Sequence, residues 1–403
     1  MRQLLLVAVL VSGCATMSPA RRAALEQDAQ PAVDALRTAD FDVAITRAKE
    51  SLGRDEKNAR AAAVLAISLF RQALHDAVTD AITFASSVAL SGIGRGSFFN
   101  RDFLDFALTR LDGRLAEVDV ALAKVESDPG FTLDLCLACW RVDWNRSGEV
   151  DQRDEKLLQI ELDEHGEELP PDDARRRPTF HLDHADVSWL RALVMFGRSV
   201  TTFAQGWDPD VNALMRTKGS LSVKVRDAKA LEASRSHLLT GLGHARRCRE
   251  AVLAETDDER EWLPNPKQRS HAMPLSVDAA LIETWAGVLD DVEALVTGRE
   301  GLSVTELAQL GKHQWPTPPT GFLDLSRFYR PVPFVLDGED AARSPLADDG
   351  AAAERFLSKS LGDGFRPAMP KSRLPSRLTR MRDEMERGEE SFERKLRYLF
   401  WLN

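Results

Sequence analysis

The sequence of 403 residues predicts a mostly α-helical protein, a helical-hairpin array that carries one small β-hairpin. Three observations predict it. Apolar residues recur at three- and four-residue spacing over long stretches, as in Ala62, Leu65, Ala66 and Leu69, or Trp189, Leu193, Phe196 and Val200. Starts and stops punctuate those stretches: Asn100 and Asp183 sit where helices should begin, and Asp128, Pro129 and Gly130 form a stop. Extended pattern is confined to residues 157–162 and 179–182, the first followed by the turn residues Asp163, Glu164, His165 and Gly166. With 43% apolar and 29% charged residues the chain can bury a sizeable core, and its length suits two or three domains. A formal charge of −10 argues against nucleic acid and anionic lipid surfaces as partners.

At the amino end Arg2 precedes an apolar run over residues 4–11 that closes on Ser12, Gly13 and Cys14. A positive end, an apolar stretch of about 7 to 15 residues and small residues before the cut describe an export signal, too short to span a bilayer. Val11, Ser12, Gly13 and Cys14 resemble the lipobox of bacterial lipoproteins. That resemblance implies removal of residues 1–13, lipidation of Cys14 and, with Ala15 rather than Asp next, retention on the periplasmic side of the outer membrane or exposure at the surface. An ordinary secretory signal cut near Ala15 or Ala20 is the alternative, and would release a soluble protein.

Residues 14–30, rich in Ala and Arg, read as a tether or first helix, and residues 31–140 as a helical region. Leu36, Ala39, Asp40, Phe41, Ala44, Ile45, Ala48, Leu52, Asp55 and Asn58, continued by Ala62, Leu65, Ala66 and Leu69, resemble a tetratricopeptide unit. In such units small residues let two helices pack closely and aliphatic ones fill the groove between them. The resemblance covers about 45 residues, lacks the usual proline at Glu56 and shows no clear third copy; an ordinary helical hairpin fits the same residues. Helix is expected to continue to residue 90 and to resume from Asn100 to about residue 127. Gly92, Gly94 and Gly96 between them follow a helix and lack a P-loop lysine, which excludes a phosphate-binding fingerprint.

Residues 143–154 carry the clearest chemistry. Asp143, Asn145, Ser147, Asp151 and Asp154 place side-chain oxygens at loop positions 1, 3, 5, 9 and 12, Gly148 supplies the sharp turn at position 6, and Glu149 offers its carbonyl at position 7. A hard cation that needs six to eight oxygens fits this pattern, and the cofactor it names is calcium. The loop is similar to EF-hand and dockerin loops, but it is single, closes on Asp154 rather than Glu, and lacks the long exiting helix. Affinity is therefore expected in the weak extracellular range, about 10⁻⁴ to 10⁻³ M. The competing reading is a polar turn without an ion. Residues 141–182 form this loop together with a small β-hairpin, in which residues 157–162 would pair with residues 179–182.

With Cys14 set aside, Cys136 and Cys139 form a CxxC on an expected helix, read as core positions or one structural bridge rather than a redox site. His181 and His184 flank Asp183, where cap and surface roles are the expectation over metal binding. Residues 183–300 make a second helical region, with helices over 183–200, 225–254 and 276–296. Residues 301–403 comprise a proline-rich strap from Trp315 to Pro333, an acidic loop over 337–352, and a last helix carrying Leu374, Leu378, Met381, Met385, Phe392, Leu399 and Leu402. No nucleophile, zinc or phosphate motif appears. Asp257, Asp258, Glu259 and Glu261 read as a solvated helix end rather than a glycosidase pair. The functional expectation is a lipid-anchored envelope scaffold or adaptor that binds protein partners through helical grooves. Its alternative is an envelope hydrolase with a carboxylate site between the helical halves.

Overall fold

The computed structural model describes residues 17–91, 101–143, 148–152, 154, 159–161, 163, 167–210, 220–256, 260–268, 278–310, 318–337 and 350–385. Cys14 and its signal, Gly92, Gly94, Gly96, Asn100, Asn145, Ser147, most of the acidic loop, and Phe392, Leu399 and Leu402 lie outside them. The described chain is mostly helical with small antiparallel sheets.

Helix α1 (Pro19–Arg37) starts where Ser18 accepts from the Arg21 amide at 3.3 Å and Pro19 supplies a preset φ. It runs unbroken through Pro31, so residues 19–30 belong to the first packed helix, the second of the two readings of that stretch; Ala29, Ala32, Val33 and Leu36 are buried on one side of it. The chain reverses at Ala39 (φ 60°), and Asp40 caps α2 (Phe41–Arg54) by accepting from the Val43 amide at 3.2 Å. Asn58 opens α3 (Ala59–Ser91). Fully buried, it accepts from the Ala61 amide at 3.1 Å and donates to Leu25 O at 2.9 Å and Ser51 Oγ at 3.0 Å. One side chain thus caps α3 and ties it to both preceding helices. Helix α4 is Arg101–Val125.

Beyond residue 180 come α5 (His184–Gly206), α6 (Ala228–Ala254), α7 (Ala279–Thr297), α8 (Val304–Leu310), α9 (Gly350–Leu361) and α10 (Leu374–Met385). Gly298, in the left-handed region at φ 75°, ends α7. Packing follows chain order: α1 on α2, α2 on α3, α3 on α4, α4 on α5, α5 on α6, α6 on α7, with α10 returning onto α7. One continuous apolar core runs through α1–α7, from Val33 and Val64 through Leu122 and Val194 to Leu242 and Leu289. The α4–α5 seam is laced by charge: Arg191 reaches Asp119 at 2.7 Å and Glu126 at 2.6 Å, and Arg198 reaches Asp112 at 3.0 Å. The described part of the last helix packs onto the body, with Arg377 lying over Gly287 and 3.2 Å from Asp291.

The α5–α6 crossing depends on small residues. Ser199 and Ser234 meet at 3.2 Å, and a Cβ on Gly241 would stand 2.6 Å from the Phe196 ring and 3.2 Å from Met195 Cβ. Gly243, two residues along the same helix, has nothing within 4 Å. Gly241→Val is expected to lower unfolding free energy by about 1–3 kcal/mol through overpacking. Gly243→Ala should raise it by about 0.5–1 kcal/mol through helix propensity, and urea denaturation of both variants reads the contrast.

The strands differ from expectation. β1 (Leu133–Leu135) pairs antiparallel with β2 (Phe180–Leu182), Leu133 opposite Leu182 and Leu135 opposite Phe180. Residues 180–182 thus pair with β1 and not with residues 159–161, the described part of the expected partner segment. The reason is apolar alternation in Phe131, Leu133 and Leu135, which matches that of Phe180 and Leu182, so that all five side chains are buried. Residues 161 and 163 bond instead to residues 169 and 167: Leu169 N–H donates to Glu161 O at 2.9 Å and Asp163 N–H to Glu167 O at 2.9 Å. Cys136 and Cys139 consequently follow a strand and lie on a single 3-10 turn (Leu137–Cys139), not on a helix, and they are disulfide-bonded. A bridge across so short a loop stabilises by about 2 kcal/mol on the chain-entropy account. The Cys136→Ser, Cys139→Ser double variant should lose that much in chemical denaturation while keeping its helical circular dichroism.

Residues 220–225 form a strand that takes in Val225, where helix was expected to begin, and the helix starts at Ala228 instead. β4 (Ser220–Val225) lies between β3 (Trp207–Pro209) and β7 (Phe334–Asp337), and Leu221, Val223 and Val225 alternate at period two. Trp207, Val223 and Leu231 form a second small core under it. The expected strap contributes β6 (Phe322–Leu323), which pairs with β5 (Leu302–Ser303) and β8 (Phe365–Arg366).

Candidate metal centre

The loop predicted to hold calcium leaves the core just after Trp140. Of its expected ligands the structure describes Asp143, Glu149, Asp151 and Asp154. Asp143 Oδ2 accepts from the Gly148 amide at 2.7 Å, and Gly148 has φ 95°, a value that suits glycine. The first and sixth positions are thereby folded toward each other. At the far end Asp151 and Asp154 cap reciprocally, Asp151 N–H donating to Asp154 Oδ2 at 3.0 Å and Asp154 N–H to Asp151 Oδ1 at 3.1 Å. Asp154 is buried, while Glu149 and Asp151 are exposed. Gln159 and Ile160 are non-helical. The donor chemistry at both ends is all oxygen, which fits a hard cation.

His181 and His184 do not converge. His181 Nδ1 lies 2.8 Å from Asp134 Oδ1 and His184 Nε2 lies 2.5 Å from Asp128 O, so each is engaged by the strand-and-stop segment ahead of β2. Asp183 fulfils its expected role as a cap. It accepts from the Ala185 amide at 2.7 Å while Asp186 Oδ2 accepts from the Asp183 amide at 3.1 Å, a capping box at the start of α5.

Glu261 departs from the expected solvated helix end, since it is only 5% exposed. The chain after α6 turns back beneath the body. Asn265 Nδ2 donates to Val252 O at 2.9 Å and Glu255 O at 3.1 Å, His181 N–H donates to Arg260 O at 3.0 Å, and Trp262 stands edge-on to Phe180 at 4.6 Å. Glu261 is carried inward with Trp262 and Leu263, where it meets the start of α5. Carboxylate oxygens of Asp183, Glu255 and Glu261 lie within 4.8 Å of one another. Burial raises the Asp183 carboxyl above its ordinary range against the hydrogen bonds of its cap. Burial, then the charges of Asp183, Glu261 and Glu255, push Asp186 well up. Cys248, fully buried nearby, is held as a thiol by burial and by the same acids. Asp257, Asp258 and Glu259 lie outside the described residues.

No sequence signal marked this cluster: Asp183 stands more than 70 positions before Glu255 and Glu261, and only the return of the chain after α6 joins them. Comparison with known proteins found no matching family model, no matching curated protein and no matching solved structure.

Proposed function

We propose that the protein is a lipid-anchored scaffold of the cell envelope. Cys14 would carry the lipid at the outer membrane, helical hairpins of tetratricopeptide-like character would present grooves to protein partners, and calcium held by Asp143, Asn145, Ser147, Glu149, Asp151 and Asp154 would stiffen the link between the two helical regions. The observation that carries the reading is the order of packing, in which each of α1 to α7 lies on its neighbour in the chain. Arrays of that kind offer long side faces for recognition and place little demand on a reaction centre. Apolar side chains stand exposed on two of these helices: Val78 and Ile82, one turn apart on α3, are 51% and 57% exposed, and Phe106 on α4 is 59% exposed under the Arg110 guanidinium. Arg110 in turn pairs with Asp80 at 2.5 Å.

The rival reading, an envelope hydrolase, draws on the convergence of Asp183, Glu255 and Glu261. Against it stands the burial of Glu261 and Asp186, since a general acid or base must reach its substrate.

Two measurements on the intact chain test the scaffold. Metabolic labelling with a radioactive fatty acid and membrane fractionation should find lipid on the wild type, and should find Cys14→Ser unlabelled and released from the membrane. A photo-crosslinking residue at Ile82 or Phe106 should give a discrete protein adduct that the same probe at Val200, exposed on α5, does not. Equal labelling of Cys14→Ser, or no difference between the probe positions, contradicts the reading.

A further inference from the structure

A cavity of about 350 Å³ lies between α7 and α10, lined by Glu283 and Thr284 of α7 and by Arg373, Ser376, Arg377 and Arg380 at the start of α10. That volume falls within the range of small-molecule sites. Two other cavities of the described residues hold about 20 Å³ each, room for little more than a water. Arg373, Ser376, Arg377 and Arg380 follow the i, i+3, i+4, i+7 spacing of one helical face, and packing of α10 onto α7 turns that face into the cavity. Arg373 stands at the cap, its carbonyl accepting from the Arg377 amide at 3.0 Å. A helix start favours carboxylates and disfavours cations, yet the first turn of α10 holds no acid and these arginines occupy it instead. Few carboxylates face them: Asp291 takes Arg377 at 3.2 Å, Glu283 is the one acid of the lining, and among the described residues Arg373 forms no ion pair. In a chain of net charge −10 this is a local excess of positive charge. A local rule broken in this way marks a functional site more often than a structural one.

The geometry points to an anion site, in which Arg373, Arg377 and Arg380 bind the phosphoryl group of a small phosphate monoester. A guanidinium is a planar fork of donors that matches phosphate oxygens, and three of them around one cavity call for the three acceptor oxygens of a phosphoryl group rather than the two of a carboxylate. The amino end of α10 adds its dipole in the same sense. A bare phosphate would leave much of the cavity unfilled, so the ligand carries an organic part. Glu283, on the α7 wall, accepts from a hydroxyl of that part and repels a second phosphate, which favours a monoester over a bisphosphate. None of these residues belongs to the 143–154 loop or to the acidic group at the start of α5, and the site does not depend on the scaffold reading.

The test titrates the full chain in detergent calorimetrically with glycerol 3-phosphate and, separately, with acetate. The expected result is one binding event for the ester, none for acetate at the same millimolar concentrations, and a loss of at least tenfold in affinity for the ester in Arg373→Gln and in Arg380→Gln. Both side chains are exposed, so both variants should melt with the wild type. Arg382→Gln removes the same charge from the same helix outside the cavity and should bind as the wild type does, which separates a built site from a general positive field. Phosphatidylcholine vesicles containing phosphatidic acid distinguish the source of the phosphate. Sedimentation of the Cys14→Ser chain with them, lost in Arg373→Gln, would assign the site to a lipid headgroup. The inference is overturned if neither glycerol 3-phosphate nor these vesicles bind, if acetate binds as tightly as the ester, or if Arg382→Gln weakens binding as much as Arg373→Gln.

Discussion

Trp140→Ala is expected to cost about 3–5 kcal/mol of unfolding free energy, the range for removing a large aromatic from a packed core. Trp140 is 3% exposed and stands where the CxxC turn meets the first helices. Its ring meets Phe41 of α2 edge-on at 5.2 Å, and the Arg71 guanidinium of α3 lies 5.1 Å from its centre. Arg71 is itself buried, and burial lowers its guanidinium to about 10. Removing the indole therefore leaves a cavity and strips an aromatic face from a buried cation. Equilibrium denaturation of Trp140→Ala, Arg71→Met and the double variant measures both terms. The two costs should add to more than the double variant shows, by about 0.5–3 kcal/mol for residues in contact. A loss below about 1 kcal/mol in Trp140→Ala would mean that the turn does not hold the helices.

Arg191→Ala is expected to cost about 3 kcal/mol, at the lower end of the range for breaking a buried pair, because the partners retain some access to water. Arg191, 12% exposed, bridges Asp119 and Glu126 on α4, and its removal leaves two carboxylates facing the seam. The loss should depend on pH. Burial alone would raise the Glu126 carboxyl, but His244, 3.6 Å away on α6, together with Arg191 and Arg247, outweighs burial and holds it below its ordinary range. A depressed carboxyl stabilises the fold above its unfolded value, and that stability is lost as pH falls through the folded value. The gap between wild type and Arg191→Ala should accordingly be widest near neutral pH and narrow below about pH 4.5. A gap independent of pH from 7 to 3 would assign the loss to packing of the arginine stem rather than to charge.

Helices were legible in the sequence because their signals are local. Asp40 and Asp183 announce helix starts, and the small residues Ala44 and Ala48 sit fully buried where close packing needs them. Asn58, quoted only as part of a motif, turns out to hold three helices, since its amide has both a cap to make and two partners to reach. Strand pairing was less legible. Leu133 and Leu135 alternate, but two or three residues of alternation beside a CxxC look like helix until partners 49 and 45 positions away, Leu182 and Phe180, are brought alongside. Alternation in Leu221, Val223 and Val225 was hidden in the same way beneath the following helix. Of the candidate sites, the 143–154 loop was legible because one short segment carries every ligand type. The acidic group of Asp183, Glu255 and Glu261 was not, because burial of Glu261 depends on how Asn265 and Trp262 fold the chain back.

The loop is the account's central chemical claim, and calorimetric titration of calcium into the intact, detergent-solubilised chain and its Asp143→Ala variant tests it most directly. The account predicts a weak binding event, with a dissociation constant of about 10⁻⁴ to 10⁻³ M, that is present in the wild type, absent from Asp143→Ala and accompanied by a higher melting temperature in calcium. Identical isotherms for the two proteins would contradict it and reduce residues 143–154 to a turn.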